Sequence, residues 1–234
     1  MKRIIIPIES YELDDFKAHK EEMKDYALLV LLISRKLINF PHKKAEDITN
    51  VSKPFLMMDI SKHSRAFLFI ANNKYFCISY PLTIKVETDN IKVYSTEKSI
   101  ELTNQNISEC IGIINSLGRN GNFLDAWMND DGSNSQSSLD ILELLLHTEP
   151  SYLRYDHDPI TAKGKETRHP AHHLDINMSK RGTYKLGLYE HLSPKDFISI
   201  INGETDCHYL SHYNQILSLN AKKTKIKNTK KRKR

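Results

Sequence analysis

At 234 residues, with 39% hydrophobic and 27% charged side chains, the chain is long enough for one sizeable core and too apolar for a disordered protein. The net charge of +5 is concentrated in the last thirteen residues, KKTKIKNTKKRKR, which hold nine positive charges and no acid; the body keeps 25 basic and 29 acidic residues. This excludes a uniformly basic surface that tracks nucleic acid, and it puts any such affinity in the tail.

The three cysteines, Cys77, Cys110 and Cys207, are far apart and form no CxxC pair. Zinc-ribbon and disulfide frameworks are thereby excluded, and reduced cytoplasmic thiols are expected. The apolar run after Lys2 and Arg3 is too short for a signal peptide, and ALLVLLIS at 27–34 is far short of a bilayer span. A soluble, cytoplasmic protein with no membrane partner is the expectation.

In chain order, residues 2–8 read as a short strand or arm. The three- and four-residue spacing of Phe16, Met23, Ala27, Val30, Leu31, Ile33 and Leu37 predicts a helix over 13–37, closed by Pro41. Between 54 and 102 the period changes. PFLMMDI, RAFLFIA, KYFCISY, LTIKVET, IKVYS and SIELT are short, rich in β-branched and aromatic residues, and separated by turn signals. They predict an antiparallel meander of five or six strands. A helix over 106–117 follows, stopped by Gly118, and then a short helical piece carrying Trp127, the one tryptophan. The apolar-free stretch NDDGSNSQSS, 129–138, reads as a flexible loop. Ser138 is placed to cap a helix that Pro150 ends. Strands are expected at 151–156, 171–177 and 183–188, the last two joined by a turn at Arg181-Gly182. Ser193-Pro194 then starts a helix, and a last helix near 206–219 leads into the basic tail.

The fold class expected is α+β: a long N-terminal helix, an antiparallel β-meander, and a helix-flanked C-terminal part with two or three further strands. The organisation reads as 1–128 for helix and sheet, 129–138 for the loop, 139–219 for the His/Asp/Arg-rich part, and 220–234 for a disordered tail. The His/Asp/Arg-rich part is possibly one continuous domain with 1–128.

The chemistry is densest between Tyr152 and Leu188, where Arg154, Asp156, His157, Asp158, His169, His172, His173 and Asp175 are gathered. Side chains alternate along a strand, so His173 and Asp175 share one face, about 6–7 Å apart, while His172 and Leu174 share the other. On the preceding strand Arg154, Asp156 and Asp158 alternate onto one face. If the strands pair, a guanidinium, carboxylates and imidazole meet. His173, Asp175, Asp156, Arg154 and His169 are the candidate catalytic residues. His169, His173 and Asp175 are the candidate ligands of a divalent metal ion, because imidazole and carboxylate suit such ions. Imidazole beside carboxylate equally suits general acid–base work, and the guanidinium fork suits a phosphate. A packed His172, a solvated His173 and an Arg154–Asp156 bridge that only fixes the sheet are the plain structural alternatives. His208 and His212, at i and i+4, lack the HExxH glutamate. GRNGN at 118–122 has no P-loop lysine and reads as a turn.

RYD at 154–156, a polar spacer and HPAHHLD at 169–175 together resemble a motif of small bacterial proteins from toxin–antitoxin and phage-defence loci, in which an RYD strand precedes a proline- and histidine-rich element. Asp175 stands where that group carries histidine. The resemblance implies a toxin-like or anti-phage defence component, a nuclease or phosphodiesterase acting through His and Asp, with a protein partner encoded in the same locus. The alternative is a non-enzymatic regulatory or adaptor subunit that binds an effector protein or nucleic acid. Lys230, Lys231, Arg232, Lys233 and Arg234 are the residues expected to touch nucleic acid.

Overall fold

The computed structural model describes residues 2–17, 22–39, 43–44, 53–71, 73–87, 90–117, 134–163, 168–178 and 184–202. Trp127, the GRNGN turn, the Arg181-Gly182 turn, His208 with His212, and the basic tail with Lys230 to Arg234 lie outside them. The architecture is α+β. Two compact units are present, Met1–Pro194 and Lys195–Arg234. No helix among the described residues is long and apolar enough to cross a membrane.

One antiparallel sheet of eight strands dominates the first unit. Its strands are β1 (Lys2–Pro7), β2 (Lys43–Lys44), β3 (Phe55–Ile60), β4 (Arg65–Ala71), β5 (Lys74–Ser79), β8 (Leu153–His157), β9 (His172–Ile176) and β10 (Tyr184–Leu188), in the spatial order β10-β9-β8-β5-β4-β3-β1-β2. The expected meander holds for β3 to β5. It then leaves the sheet: β6 (Thr83–Val86) and β7 (Ile91–Tyr94) form a separate hairpin, and SIELT contributes only a bridge from Glu101 to Tyr94. The residue-2–8 segment is a true strand between β2 and β3.

Helix α1 (Met23–Asn39) is shorter than the spacing of apolar residues implied, because Ser10–Glu12 forms a separate 3-10 turn. Tyr26, Ala27, Leu29, Val30, Leu31, Ile33 and Leu37 are all buried, which explains why its apolar residues occupy several faces. Ser34 is buried with them and spends its hydroxyl on Val30 O and Tyr80 Oη, each at 2.7 Å. Helix α2 (Asn104–Ser116) is capped by Thr103 and α3 (Gln136–His147) by Ser135. The cap of α3 is therefore Ser135 rather than Ser138, whose own amide donates to Ser135 Oγ at 3.3 Å. Helices α1, α2 and α3 pack on one another and share one apolar core with residues of β1, β3, β4 and β5.

The register carries this core toward the C-terminal strands. A single cross-strand row runs Ile6, Leu56, Leu68, Phe76, Arg154, Asp175, Lys185. The row is apolar over four strands and ionic over the next three. Each fully buried aliphatic side chain contributes roughly 1.5–3 kcal/mol; the three ionic positions can be buried only by pairing with each other. The opposite face carries an aromatic row. Phe55 stacks on Phe69 at 4.6 Å, Tyr75 on Tyr155 at 4.7 Å, and His157 on His172 at 4.2 Å between ring centroids. In the second unit α5 (Pro194–Ile201) buries Phe197 and Ile198.

Candidate functional site

The local sequence dictates which side chains reach the site. Leu153 to His157 is a strand, so Arg154 and Asp156 point one way and Tyr155 the other. The strand stops at Asp158, which caps the one-turn helix α4 (Pro159–Ala162) by accepting from Thr161 N at 3.0 Å. Asp158 is thus drawn out of the face shared by Arg154 and Asp156, where strand alternation alone had put it. The chain returns through His169 and Pro170 into β9. There Asp156 pairs with His173 and Arg154 with Asp175, and β10 adds Lys185 opposite Asp175 and Gly187 opposite His173.

Four of the five expected catalytic residues therefore meet. Arg154 Nη2 lies 2.9 Å from Asp156 Oδ2 and also binds Asp175 Oδ2. His173 Nε2 is 3.8 Å from an oxygen of each aspartate. Asp156, His173 and Asp175 each offer a ligand atom, all within 4.8 Å of one another. His169 is not in this set. Its ring packs edge-on against His173 with centroids 4.7 Å apart, and its Nε2 turns to Asp158 Oδ2 at 3.7 Å. The donor set with metal-ligand spacing thus contains Asp156 in the place expected for His169.

Two lysines complete the centre. Lys185 Nζ is 2.6 Å from Asp175 Oδ1 and 3.1 Å from His173 Nε2. Lys74 Nζ sits at the rim, 3.4 Å from Asp156 Oδ1. Neither was singled out in the sequence. The strand at 183–188 was expected, but Lys185 reaches His173 and Asp175 only through the β9–β10 register, which no two-residue hairpin signal fixes. Tyr152, in the apolar core beside Phe76, is hydrogen-bonded to Arg154 and joins core to cluster.

The protonation state of His173 follows from its neighbours. Nδ1 lies 2.8 Å from Pro170 O, which can only accept, so Nδ1 carries the proton. Nε2 is then the acceptor, and Lys185 donates to it. Burial holds the His173 pKa below the usual imidazole range and the Lys185 charge adds to this, outweighing the Pro170 bond and the two aspartates. His173 is a neutral imidazole of fixed tautomer, its lone pair aimed at the carboxylates. Burial would push the Asp175 carboxyl up, but its bond to Lys185 and the charges of Arg154 and Lys185 prevail and hold it below the ordinary carboxylate value. Asp156 Oδ1 is buried and accepts no hydrogen bond. A neutral nitrogen and two carboxylates at this spacing suit a hard or borderline divalent ion.

The cluster is closely covered. Asp175 is 0% and His173 1% exposed, while the side chain of Lys185 keeps 30%. Two surface clefts, one lined by Lys98, Asp140 and His147 and the other by His63, Arg65 and Glu149, include no residue of the cluster. On the reverse of β8 and β9, His172 accepts from or donates to Tyr155 Oη at 2.8 Å and meets His191 edge-on. His172 is thus a packed, half-buried histidine, as strand alternation required. Cys77 and Cys110 are buried free thiols, pushed up by burial to about 11 and about 12, and neither is a ready nucleophile. No family model, curated protein or solved structure matches the chain.

Proposed function

We propose that the protein is a divalent-cation-dependent hydrolase of phosphodiester bonds, a nuclease or phosphodiesterase, working within a bacterial toxin-like or anti-phage defence system. One observation carries the chemistry: Asp156, His173 and Asp175 present ligand atoms within 4.8 Å of one another, directly beside the guanidinium of Arg154. The defence setting rests on the resemblance of RYD and HPAHHLD to proteins of such loci.

Asp156, His173 and Asp175 would hold the ion, which when bound supplies Lewis-acid polarisation and an activated water at neutral pH. Arg154 offers a forked, permanently charged donor to the phosphoryl oxygens. Lys74 and Lys185 extend this cationic edge toward solvent. Pro170 O keeps the His173 lone pair turned toward the centre, as an outer-shell acceptor does for a ligating imidazole. The tail around Lys230, Lys231, Arg232, Lys233 and Arg234 would supply salt-sensitive, sequence-independent attraction to a polyanion.

The full chain, freed of metal with chelator, is assayed on single- and double-stranded DNA and RNA and on bis(p-nitrophenyl) phosphate, with magnesium, manganese or zinc added back. Cleavage is expected that needs the ion and is abolished in His173→Ala while the circular dichroism spectrum is unchanged. Absence of cleavage by the wild-type chain with every ion and substrate would overturn the reading.

A second reading is favoured by one observation, the closure of Asp175 and His173 from solvent. It is a regulatory or adaptor subunit in which the ionic cluster is a structural knot. Tolerance of His173→Ala in the biological assay, together with a stoichiometric protein partner from the same locus, would select it.

A further inference from the structure

We propose that the Lys185 ammonium and a divalent cation are alternative occupants of one position, so that Lys185 gates the centre. The inference rests on the metal-site reading above. Lys185 Nζ touches Asp175 Oδ1 at 2.6 Å and His173 Nε2 at 3.1 Å, and so takes up two of the three lone pairs that an ion would need. The lone pair on Nε2 cannot serve an ammonium proton and a metal at once.

The two cations of the cluster are not equally replaceable. Arg154 lies on β8, inside the sheet, bound to both aspartates. Lys185 lies on β10, which ends the strand order, and its side chain keeps 30% of its exposure. Its flexible four-carbon stem can swing the charge into water without breaking the β9–β10 ladder. The third ligand is already suited to exchange: Asp156 Oδ1 is buried and receives no hydrogen bond.

Charge also specifies what accompanies the exchange. With Lys185 inside, Arg154 and Lys185 balance Asp156 and Asp175. With Lys185 replaced by a doubly charged ion, the same four-residue centre carries one excess positive charge. That is the charge a phosphodiester monoanion neutralises. The departing ammonium, with Lys74 beside Asp156, is positioned at the rim where that anion would arrive.

Manganese and zinc are titrated calorimetrically into the full-length wild-type chain, into Lys185→Met, and into Lys185→Met combined with Asp156→Asn. Methionine keeps an apolar stem of similar length and removes the charge. Lys185→Met is expected to bind one ion at least tenfold more tightly than wild type, and Asp156→Asn to cancel the gain. Equal affinity of wild type and Lys185→Met overturns the proposal. Lys185→Gln, neutral and polar, repeats the comparison should the methionine variant fail to fold. In the wild-type chain, saturating zinc is expected to raise the rate at which Lys185 is acetylated by an amine-reactive ester, read by peptide mass spectrometry. An unchanged rate with the ion bound also overturns it. Adding diethyl phosphate should tighten zinc binding by wild type. None of these readings involves cleavage, so loss of the hydrolase reading and loss of the exchange are told apart.

Discussion

Gly187 lies so close to Pro170 that no side chain fits between them: a Cβ built at 187 would stand 2.8 Å from Pro170 Cγ and 3.3 Å from its Cβ. Gly187 is also the cross-strand partner of His173, whose Nδ1 is held by the Pro170 carbonyl. The glycine is needed for space above the imidazole. Gly187→Ala should therefore push Pro170 away and release Nδ1. Overpacking of this kind costs about 1–3 kcal/mol, readable in urea unfolding. Side-chain nitrogen NMR of His173 should show the single tautomer replaced by a mixture. A variant as stable as wild type with its tautomer intact would remove Gly187 from the account.

Acid should destabilise the fold in two stages. The folded-state pKa values of His173 and His172 lie below the ordinary imidazole value, burial being the largest cause for each. An unfolded imidazole titrates near 6.5, so below about that pH the unfolded chain binds more protons than the folded one. Stability is then full above 6.5 and declines as pH falls through the depressed folded values. Asp158 and Asp175 are also depressed, Asp158 first by its bond from Thr161 and Asp175 by Lys185 and Arg154 against burial. Their contribution is present above about 3.9 and is lost as pH falls through their folded values. Thermal melts from pH 8 to pH 3 should show Tm falling first below about 6.5 and again below about 4. His172→Gln should flatten the first fall. A Tm that rises between pH 7 and 5.5 would contradict this.

The ionic end of the sheet should be intolerant of single neutralisation. Asp175 is fully buried between Arg154 and Lys185. Asp175→Asn leaves both cations short of a countercharge, and breaking a buried pair typically costs about 3–5 kcal/mol. Arg154→Met should show a loss of similar order. The two losses should not add, with a coupling of roughly 1–3 kcal/mol in a double-mutant cycle by urea unfolding. Additive losses would mean that the pair is not energetically linked.

Much of this was legible from residue order, because the signals were local. Period-two alternation in LRYDH and HHLDI placed Arg154 with Asp156 and His173 with Asp175, and it separated His172 from them. What alternation could not supply was pairing between distant strands. That β8 pairs with β5 rather than with a strand nearer in sequence is a tertiary fact. It is what brings Lys74 to Asp156. Lys185 was missed for the same reason. His169 and Asp158 were misplaced because proline and a helix cap bend the chain out of the strand period on which their positions were inferred. The α1 boundary was overextended because Phe16 keeps the helical spacing while lying in a turn, and it is buried there all the same.

The row of Phe76, Arg154, Asp175 and Lys185 has a consequence beyond catalysis. Along most of the sheet, hydrophobic side chains stand opposite hydrophobic side chains, and such pairings discriminate weakly between neighbouring alignments. Sliding β9 by one residue against β8 would carry His173 and Asp175 to the aromatic face and set Leu174 or His172 against the buried guanidinium and carboxylate. Arg154 and Asp156 would then be left without their partners in a dry interior, a penalty large enough to reject the slipped alignment. The charged residues thus act as a lock on strand alignment. They would remain necessary to the fold even in a chain that had lost every catalytic property.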